Sequence, residues 1–228
     1  MNGKTGEKTH MKLFLDSADI TEIRKIADLG ICDGVTTNPT LIAKSGQDFK
    51  TVLNEIVKLI PGPISAEVVG TDSATMLAEA AELVKIHENI VIKLPLTPEG
   101  LKTCKILSGR NIKTNVTLCF QAGQALLAEK CGATYISPFI GRLDDVSQNG
   151  IQLIRDIRAI YNNYGFKTNI LAASIRHPLH IVDAALAGSD VATCPYKILM
   201  QLYAHPLTEK GLASFLEDWK ASGQKGIV

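Results

Sequence analysis

The feature of this chain that most restricts its fold is a strand-like segment followed by a helix-like segment, repeated eight times. The strand-like segments are short and rich in Val and Ile, and turn residues bound them. The segments between them carry apolar residues at helical spacing. The sequence predicts strands over residues 12–15, 33–37, 64–69, 90–94, 114–119, 134–139, 169–174 and 190–194.

A helix is predicted after each of these strands. Asp19 is placed to cap the first helix, with Glu22 completing a capping box, and Pro98 lies in the first turn of the helix after the fourth strand. The predicted helices cover residues 19–29, 49–60, 73–87, a segment that starts at Thr97, 121–131, 148–164, 180–187 and 196–204. A further amphipathic helix over 207–221 places Leu212, Phe215, Leu216 and Trp219 on one stripe.

Eight βα units fit either a closed (β/α)₈ barrel or an open doubly wound parallel sheet. The count of eight and the length of 228 residues favour a single (β/α)₈ TIM barrel of the α/β class, with an additional C-terminal helix. No G-x-G-x-x-G or P-loop motif follows a predicted strand, which weakens the nucleotide-binding alternative. We expect one barrel domain over residues 11–228, preceded by a disordered tail or tag remnant over residues 1–10.

Composition excludes several classes of function. The net charge is +1 and only 5% of residues are aromatic, so the sequence predicts no nucleic-acid partner and no anionic membrane partner. The five cysteines are scattered and form no C-x-x-C pair, which is typical of reduced thiols and predicts a cytoplasmic location. We find no signal-peptide pattern and no apolar run near the roughly 20 residues that a membrane span needs.

Polar residues mark the ends of seven of the eight predicted strands. In chain order they are Asp16, Thr36 with Asn38, Glu67, Lys93, Asn115 with Thr117, Ser137, and Ser174 with Arg176. TIM-barrel active sites lie at the C-terminal ends of the strands, and period-two alternation allows one inward-facing set that includes these residues. A lone polar residue at a strand end more often caps a loop or binds water, but so many together predict a shared site.

Lys93 ends the apolar segment 90–94 and is the most informative residue of the set. A lysine that points into a buried barrel is costly unless it is paired. The same cost favours the neutral amine, a nucleophile that attacks ketones and forms a Schiff base. The alternative is a structural lysine that pairs with Asp16 or Glu67 across the barrel.

Arg142 and Arg176 follow the sixth and seventh strands, where barrels often bind phosphate, and the arginine side chain matches phosphate geometry. Ser174 close to Arg176 favours this interpretation over two ordinary surface arginines. His177 and His180 have a spacing that metal ligands can have, but a pair at a helix start is the favoured interpretation, and no metal site is predicted.

Several segments together resemble transaldolase. They are residues 13–18, 36–41, 92–95, 114–118, 136–142 and 173–176. The Thr-Thr-Asn-Pro and Ser-Pro-Phe stretches are especially specific, and the resemblance runs from about Lys12 to the final helix. The length is similar to that of the short transaldolase subfamily, which also contains fructose-6-phosphate aldolases.

The resemblance implies a class I mechanism without a metal or organic cofactor. Lys93 would attack the C2 ketone of fructose 6-phosphate or sedoheptulose 7-phosphate, and the three-carbon unit would pass to erythrose 4-phosphate or glyceraldehyde 3-phosphate, a step of the pentose phosphate pathway. Asp16 would take the C4 hydroxyl proton, and Glu67 with Thr117 would position a water. The other implied roles are substrate hydroxyl contacts from Asn38, Asn115 and Ser137, phosphate contacts from Arg142, Ser174 and Arg176, and a substrate-site lining that includes Thr36 and Phe139.

Two positions separate transaldolases from their aldolase relatives. In the aldolases a glutamine replaces the acid of the third strand and a tyrosine replaces the Phe after Ser-Pro, whereas this chain has Glu67 and Phe139. The resemblance therefore favours a transferase over a fructose-6-phosphate aldolase. A non-catalytic sugar-phosphate-binding barrel is the alternative outside enzymes. The resemblance also implies a homo-oligomer, a pentamer or decamer, in which the last helix packs on a neighbouring subunit.

Overall fold

The computed structural model describes residues 10–226, so most of the predicted tail over residues 1–10 lies outside the described part of the chain. Eight parallel strands pair in chain order and the last pairs with the first, which closes the barrel. The strands are β1 (Lys12–Asp16), β2 (Gly34–Thr36), β3 (Ile64–Glu67), β4 (Ile90–Pro95), β5 (Thr114–Cys119), β6 (Tyr135–Pro138), β7 (Asn169–Ala172) and β8 (Val191–Cys194). The predicted (β/α)₈ fold is confirmed.

The helices surround the barrel and connect its strands. They are α1 (Ile20–Asp28), α2 (Pro39–Ser45), α3 (Phe49–Leu59), α4 (Ser73–Leu83), α5 (Pro98–Gly109), α6 (Ala122–Lys130), α7 (Ile140–Asp144), α8 (Gly150–Tyr164), α9 (Pro178–Leu186), α10 (Tyr196–Gln201) and α11 (Pro206–Ala221). Two of these, α2 and α7, were not predicted. Both are short, and α2 is capped by Asn38, whose side chain accepts a hydrogen bond from the Leu41 N–H.

Several predicted boundaries and one predicted cap were wrong. Strand β7 stops at Ala172, because Ser174 has a φ of 61° in the left-handed region, where a strand cannot continue. Strand β3 ends at Glu67 rather than at Val69. The capping box at α1 does not form: Asp19 caps the helix, whereas the Glu22 carboxylate accepts from the Ser17 hydroxyl at 2.6 Å.

The interior of the barrel contains an apolar floor. Its buried members are Phe14, Val91, Tyr135, Leu171, Ala173 and Val191. Gly34 makes room for the Phe14 ring, because a Cβ at this position would lie 2.7 Å from Phe14 Cε1 and 2.6 Å from the Pro63 carbonyl oxygen. A larger apolar cluster fills the layer between the strands and the helices. Polar side chains therefore occupy the part of the interior that the two clusters do not fill, at the C-terminal end of the barrel.

That polar layer follows from the period-two alternation of the strands. Asp16 comes two residues after Phe14 on β1, and Lys93 two residues after Val91 on β4. Ser137 and Thr193 follow Tyr135 and Val191 in the same way. On these four strands, an apolar residue thus faces inward low in the barrel and a polar residue faces inward near the top.

Helix α11 has no buried residue. Its apolar residues Leu212, Phe215, Leu216 and Trp219 are between 40% and 73% exposed. The amphipathic pattern also allows the interpretation that the last helix covers the barrel of its own chain. Since the stripe is exposed, that interpretation is wrong. Within residues 10–226, no helix combines the length and the apolar character that crossing a bilayer requires.

Candidate active site

Strand register places Lys93 at the centre of the polar layer. On one side Lys93 pairs with Glu67 of β3, and on the other side with Asn115 of β5. Asp16 pairs with Thr36, and Thr36 pairs in turn with Ser65. Residues paired in register turn their side chains to the same face, so these residues share the barrel mouth.

The Lys93 amine is buried and engaged on two sides. The residue is 5% exposed. Its Nζ lies 2.9 Å from Oε2 of Glu67 and donates to the carbonyl oxygen of Thr37 at 3.0 Å. A buried ammonium requires such partners, and the carboxylate can also receive its proton.

Asp16 is the last residue of β1 and is held by the hydroxyl group of Thr36. Thr36 Oγ1 donates to Asp16 Oδ1 at 2.7 Å, and it also lies 2.7 Å from Oγ1 of Thr193. Burial raises the pKa of the Asp16 carboxyl above its ordinary value, although the charge of Lys93 and the bond from Thr36 act against this rise. Asp16 is thus a carboxyl that holds its proton to a higher pH than a surface aspartate does.

Two cavities meet at Lys93. One has a volume of about 150 Å³ and is lined by Asp16, Thr36, Asn38, Lys93, Ser137, Phe139, Arg142, Ala173, Ser174, Arg176 and Thr193. The other has a volume of about 330 Å³ and is lined by Asn38, Pro39, Thr40, Leu41, Glu67, Lys93, Leu118, Phe139 and Arg142. Ten of the twelve predicted site residues therefore line one cavity or the other.

The remaining two predicted residues, Asn115 and Thr117, lie deeper. Asn115 is fully buried; its Nδ2 donates to Ser65 Oγ at 3.1 Å and its Oδ1 accepts from Ser137 Oγ at 2.7 Å. Thr117 Oγ1 is buried and has no hydrogen-bond partner among the described residues. A buried hydroxyl without a partner is uncommon and marks a place where a water or a ligand atom is expected.

The two arginines flank the smaller cavity at the solvent side. The guanidinium of Arg142 lies 4.9 Å from the centre of the Phe139 ring, a cation–π contact that orients it. Arg176 Nη2 donates to Asp145 Oδ2 at 2.8 Å. A Cβ on Gly141 would lie 2.0 Å from the Ser174 carbonyl oxygen, so this glycine allows α7 to pack closely against the loop that carries Arg176.

His177 and His180 contact each other at the start of α9, with ring centres 3.8 Å apart. Within the described residues, no group of three or more His, Cys, Asp or Glu side chains is placed to hold a metal. The five cysteines are free thiols, and burial raises the pKa of Cys119 and Cys194 to about 12. Neither thiol is therefore a nucleophile near neutral pH.

Sequence reasoning missed three contributors to this site. Thr193 lies one residue before the end of β8 and touches Thr36, and the same period-two rule applied to the eighth strand would have found it. Leu118, at a φ of 64°, lines the larger cavity because the register of β5 against β6 shifts there. The Thr37 carbonyl that accepts from Lys93 carries no sequence signal, since every residue has a carbonyl.

The assembled groups suit the chemistry of a small anionic carbonyl compound. A buried amine beside a carboxylate can become a nucleophile. A second carboxyl with a raised pKa can move a proton on the same substrate. Two guanidinium groups at the mouth match an anionic end such as a phosphate.

Comparison with known proteins agrees with this geometry. The family described as "Transaldolase/Fructose-6-phosphate aldolase" matches residues 13–226. A "Probable transaldolase" of Geobacter sulfurreducens is 58% identical over 211 residues, which cover 92% of this chain and 99% of that protein. A "Probable transaldolase" of Thermoanaerobacter sp. (strain X514) is 57% identical, and the alignment covers 94% of this chain and 100% of that protein. One of Lactiplantibacillus plantarum is also 57% identical, and the alignment covers 92% of this chain and 97% of that protein. The chain belongs to the transaldolase/fructose-6-phosphate aldolase family.

Proposed function

We propose that this protein is a transaldolase that works through a Schiff base on Lys93. It would move a dihydroxyacetone unit from sedoheptulose 7-phosphate or fructose 6-phosphate to glyceraldehyde 3-phosphate or erythrose 4-phosphate, in the pentose phosphate pathway. The observation that carries the proposal is the buried Lys93 Nζ, 2.9 Å from Glu67, in a cavity that Asp16 and two arginines also line. Membership in the family supports aldolase or transaldolase chemistry independently.

The first half of the reaction forms the imine. Lys93 gives a proton to Glu67 and attacks the C2 carbonyl carbon of the ketose, which yields a carbinolamine. Glu67, protonated, returns that proton to the leaving hydroxyl, and water departs to leave the protonated imine. The unpartnered Thr117 hydroxyl supports a role in holding a water for these transfers.

The second half breaks the carbon–carbon bond. Asp16 takes the proton of the C4 hydroxyl, the C3–C4 bond pair moves into the imine as an enamine, and the aldose phosphate leaves. Attack of the enamine carbon on an acceptor aldehyde then rebuilds the bond, and Asp16 returns its proton to the new alkoxide. Hydrolysis of the imine releases the product and restores Lys93.

The remaining cavity residues would hold the two ends of the substrate. Asn38, Asn115 and Ser137 would bind hydroxyls of the three-carbon unit. Arg142, Ser174 and Arg176 would bind the phosphate, for which guanidinium groups are well suited. Asp145 pairs with Arg176 at an exposed position, a contact of small energy that a phosphate can replace.

Phe139 favours transfer over simple cleavage. Its ring lines both cavities beside Lys93 and has no hydroxyl that could protonate the enamine carbon. The enamine therefore waits for an acceptor aldehyde instead of being released as dihydroxyacetone. A fructose-6-phosphate aldolase is the second candidate, and it would show the opposite behaviour.

An assay with and without an acceptor tests the proposed function. With fructose 6-phosphate alone we expect no steady release of dihydroxyacetone, and with erythrose 4-phosphate added we expect sustained formation of sedoheptulose 7-phosphate. The control is Lys93→Met, which should abolish transfer while retaining an apolar side chain of similar length. Steady dihydroxyacetone release would identify an aldolase, and sugar-phosphate binding without turnover would identify a binding barrel.

Because burial raises the pKa of Asp16, the ionised carboxyl should lower the free energy of unfolding while it serves the reaction. A carboxyl whose pKa is higher in the folded state favours folding below its ordinary value of 3.8, and this contribution is lost as pH rises through the folded-state value. Asp16→Asn should therefore be more stable than the wild type at pH 8, and this gain should be smaller at pH 4, close to the ordinary value of the carboxyl. Since about 1 kcal/mol shifts the Tm by about 2–4 °C in a chain of this size, thermal unfolding at both pH values can measure it.

The same variant should lose nearly all carbon–carbon cleavage, because an amide cannot accept the C4 hydroxyl proton. Asp28→Asn is the matched control, since Asp28 is exposed at the end of α1. That change should leave the Tm and the activity near the wild-type values. A Tm for Asp16→Asn below that of the wild type at pH 8 would contradict the account of Asp16.

We also propose a homo-oligomer, in which α11 packs on a second copy of the chain, and a cytoplasmic location. The exposed stripe of Leu212, Phe215, Leu216 and Trp219 supports the first proposal, and the five free thiols are compatible with the second. Resemblance to short transaldolases suggests a pentamer or decamer.

Light scattering after gel filtration tests this assembly. We expect a mass of several chains for the wild type and a smaller species for Leu212→Glu combined with Phe215→Glu, because charges on an apolar contact oppose association. Ser214→Glu is the control, since Ser214 lies away from the stripe on the helical wheel. A monomeric wild-type protein at micromolar concentration would refute the proposal.

A further inference from the structure

Of the two histidines at positions 177 and 180, His180 contacts the loop that carries Arg176. His180 is 5% exposed and uses both ring nitrogens. Its Nδ1 accepts a hydrogen bond from the backbone N–H of Arg176 at 3.2 Å. Its Nε2 lies 2.9 Å from Oδ2 of Asp144.

These two bonds require one form of the ring. Nδ1 can accept from Arg176 only when it carries no proton, so the proton lies on Nε2 and is donated to Asp144. Burial, and then the nearby His177, lower the pKa of His180, while Asp144 acts in the opposite direction. The neutral Nε2–H form is thus the form that the surroundings favour.

Asp144 is itself held in place. Its Oδ1 accepts from the backbone N–H of Gly150 at 2.9 Å, which leaves Oδ2 directed at His180. The next residue, Asp145, accepts from the guanidinium of Arg176. Two consecutive aspartates at the end of α7 therefore fix Arg176 at two points, its side chain directly and its backbone through His180.

The same short helix carries Arg142 and packs on Ser174. A Cβ on Gly141 would lie 2.0 Å from the Ser174 carbonyl oxygen, so α7 and the loop approach as closely as backbones allow. The position of Arg176 relative to Arg142 thus depends on the contact between α7 and the segment from Ser174 to His180. His180 is the side chain that joins the two elements through hydrogen bonds at both ends.

We infer that His180 is a positioning residue for the phosphate end of the substrate: it bridges Asp144 and the Arg176 backbone and holds Arg176 in line with Arg142. This inference rests on the proposed function, in which Arg142 and Arg176 bind phosphate. It adds a residue that touches neither the substrate nor the reacting atoms. Its loss should weaken recognition of the phosphate and leave the chemistry at Lys93 intact.

Two substitutions at His180 each remove one of its two hydrogen bonds and keep the other. The amide of His180→Asn overlays the Nδ1 side of the ring, so its oxygen can accept from the Arg176 N–H while the contact with Asp144 is lost. The amide of His180→Gln reaches the Nε2 position, so it can donate to Asp144 while the bond from Arg176 is lost. Asp144→Asn, at a side chain that is 39% exposed, places an amide N–H opposite Nε2 and opposes the required form of His180.

The measurement compares two acceptors at saturating fructose 6-phosphate. The ratio of kcat/KM for glyceraldehyde 3-phosphate to that for glyceraldehyde reports recognition of the phosphate group alone. We expect this ratio to fall about fivefold to tenfold in His180→Gln, as for the loss of one hydrogen bond, through a higher KM with little change in kcat. His180→Asn should lower the ratio by a similar factor, because a bridge that has lost its Asp144 end no longer ties Arg176 to α7. His177→Gln should stay within about twofold of the wild type.

Arg176→Gln provides the benchmark that separates this inference from the proposed function. If Arg176→Gln leaves the ratio unchanged, the assignment of the phosphate site fails. If Arg176→Gln lowers the ratio and His180→Gln does not, the role of His180 is refuted and the site stands. A ratio near the wild-type value in His180→Asn would also refute the bridge, and Asp144→Asn, which should lower the ratio, decides the matter if the His180 variants do not fold.

Discussion

The structure depends on the burial of one amine inside a closed ring of strands. Lys93 is almost inaccessible to solvent, and burying a charge costs several kcal/mol unless a partner offsets it. Glu67, its neighbour in register on β3, and the Thr37 carbonyl after β2 supply that partner set. The barrel makes this possible because adjacent strands bring the acid and the amine to the same level without any loop having to move.

The polar layer above the apolar floor divides into a side that handles protons and a side that handles the anionic end of the substrate. Glu67 and Asp16 approach Lys93 from different strands. The Thr36 hydroxyl holds Asp16, and the Thr193 hydroxyl contacts Thr36 in turn. The anionic side is built from loops rather than strands, and the end of α7 organises it. Asp145 binds the Arg176 side chain, and Asp144 reaches the Arg176 backbone through His180. In our account the strands fix the chemistry and α7 fixes the recognition of the phosphate.

Much of this could be predicted from the sequence, because period two and strand order are local properties. Once Lys93 is assigned to the inward face of β4, the same alternation assigns Asp16, Glu67 and Ser137 to the inward faces of their own strands. Helices α2 and α7 were missed since they are too short for a periodic pattern, and α11 was open to two interpretations because an apolar stripe does not reveal what covers it. The pairing of Asp144 with His180 joins residues 36 positions apart, and only the folded chain shows it.

Chemical trapping of the imine tests the central claim most directly. Incubation with fructose 6-phosphate and borohydride, followed by proteolysis and mass mapping, should add the mass of a reduced three-carbon unit to the peptide that contains Lys93. The label should be absent from Lys93→Met treated in the same way. A label on another lysine, or turnover without any trapped adduct, would contradict the assignment of Lys93 as the nucleophile.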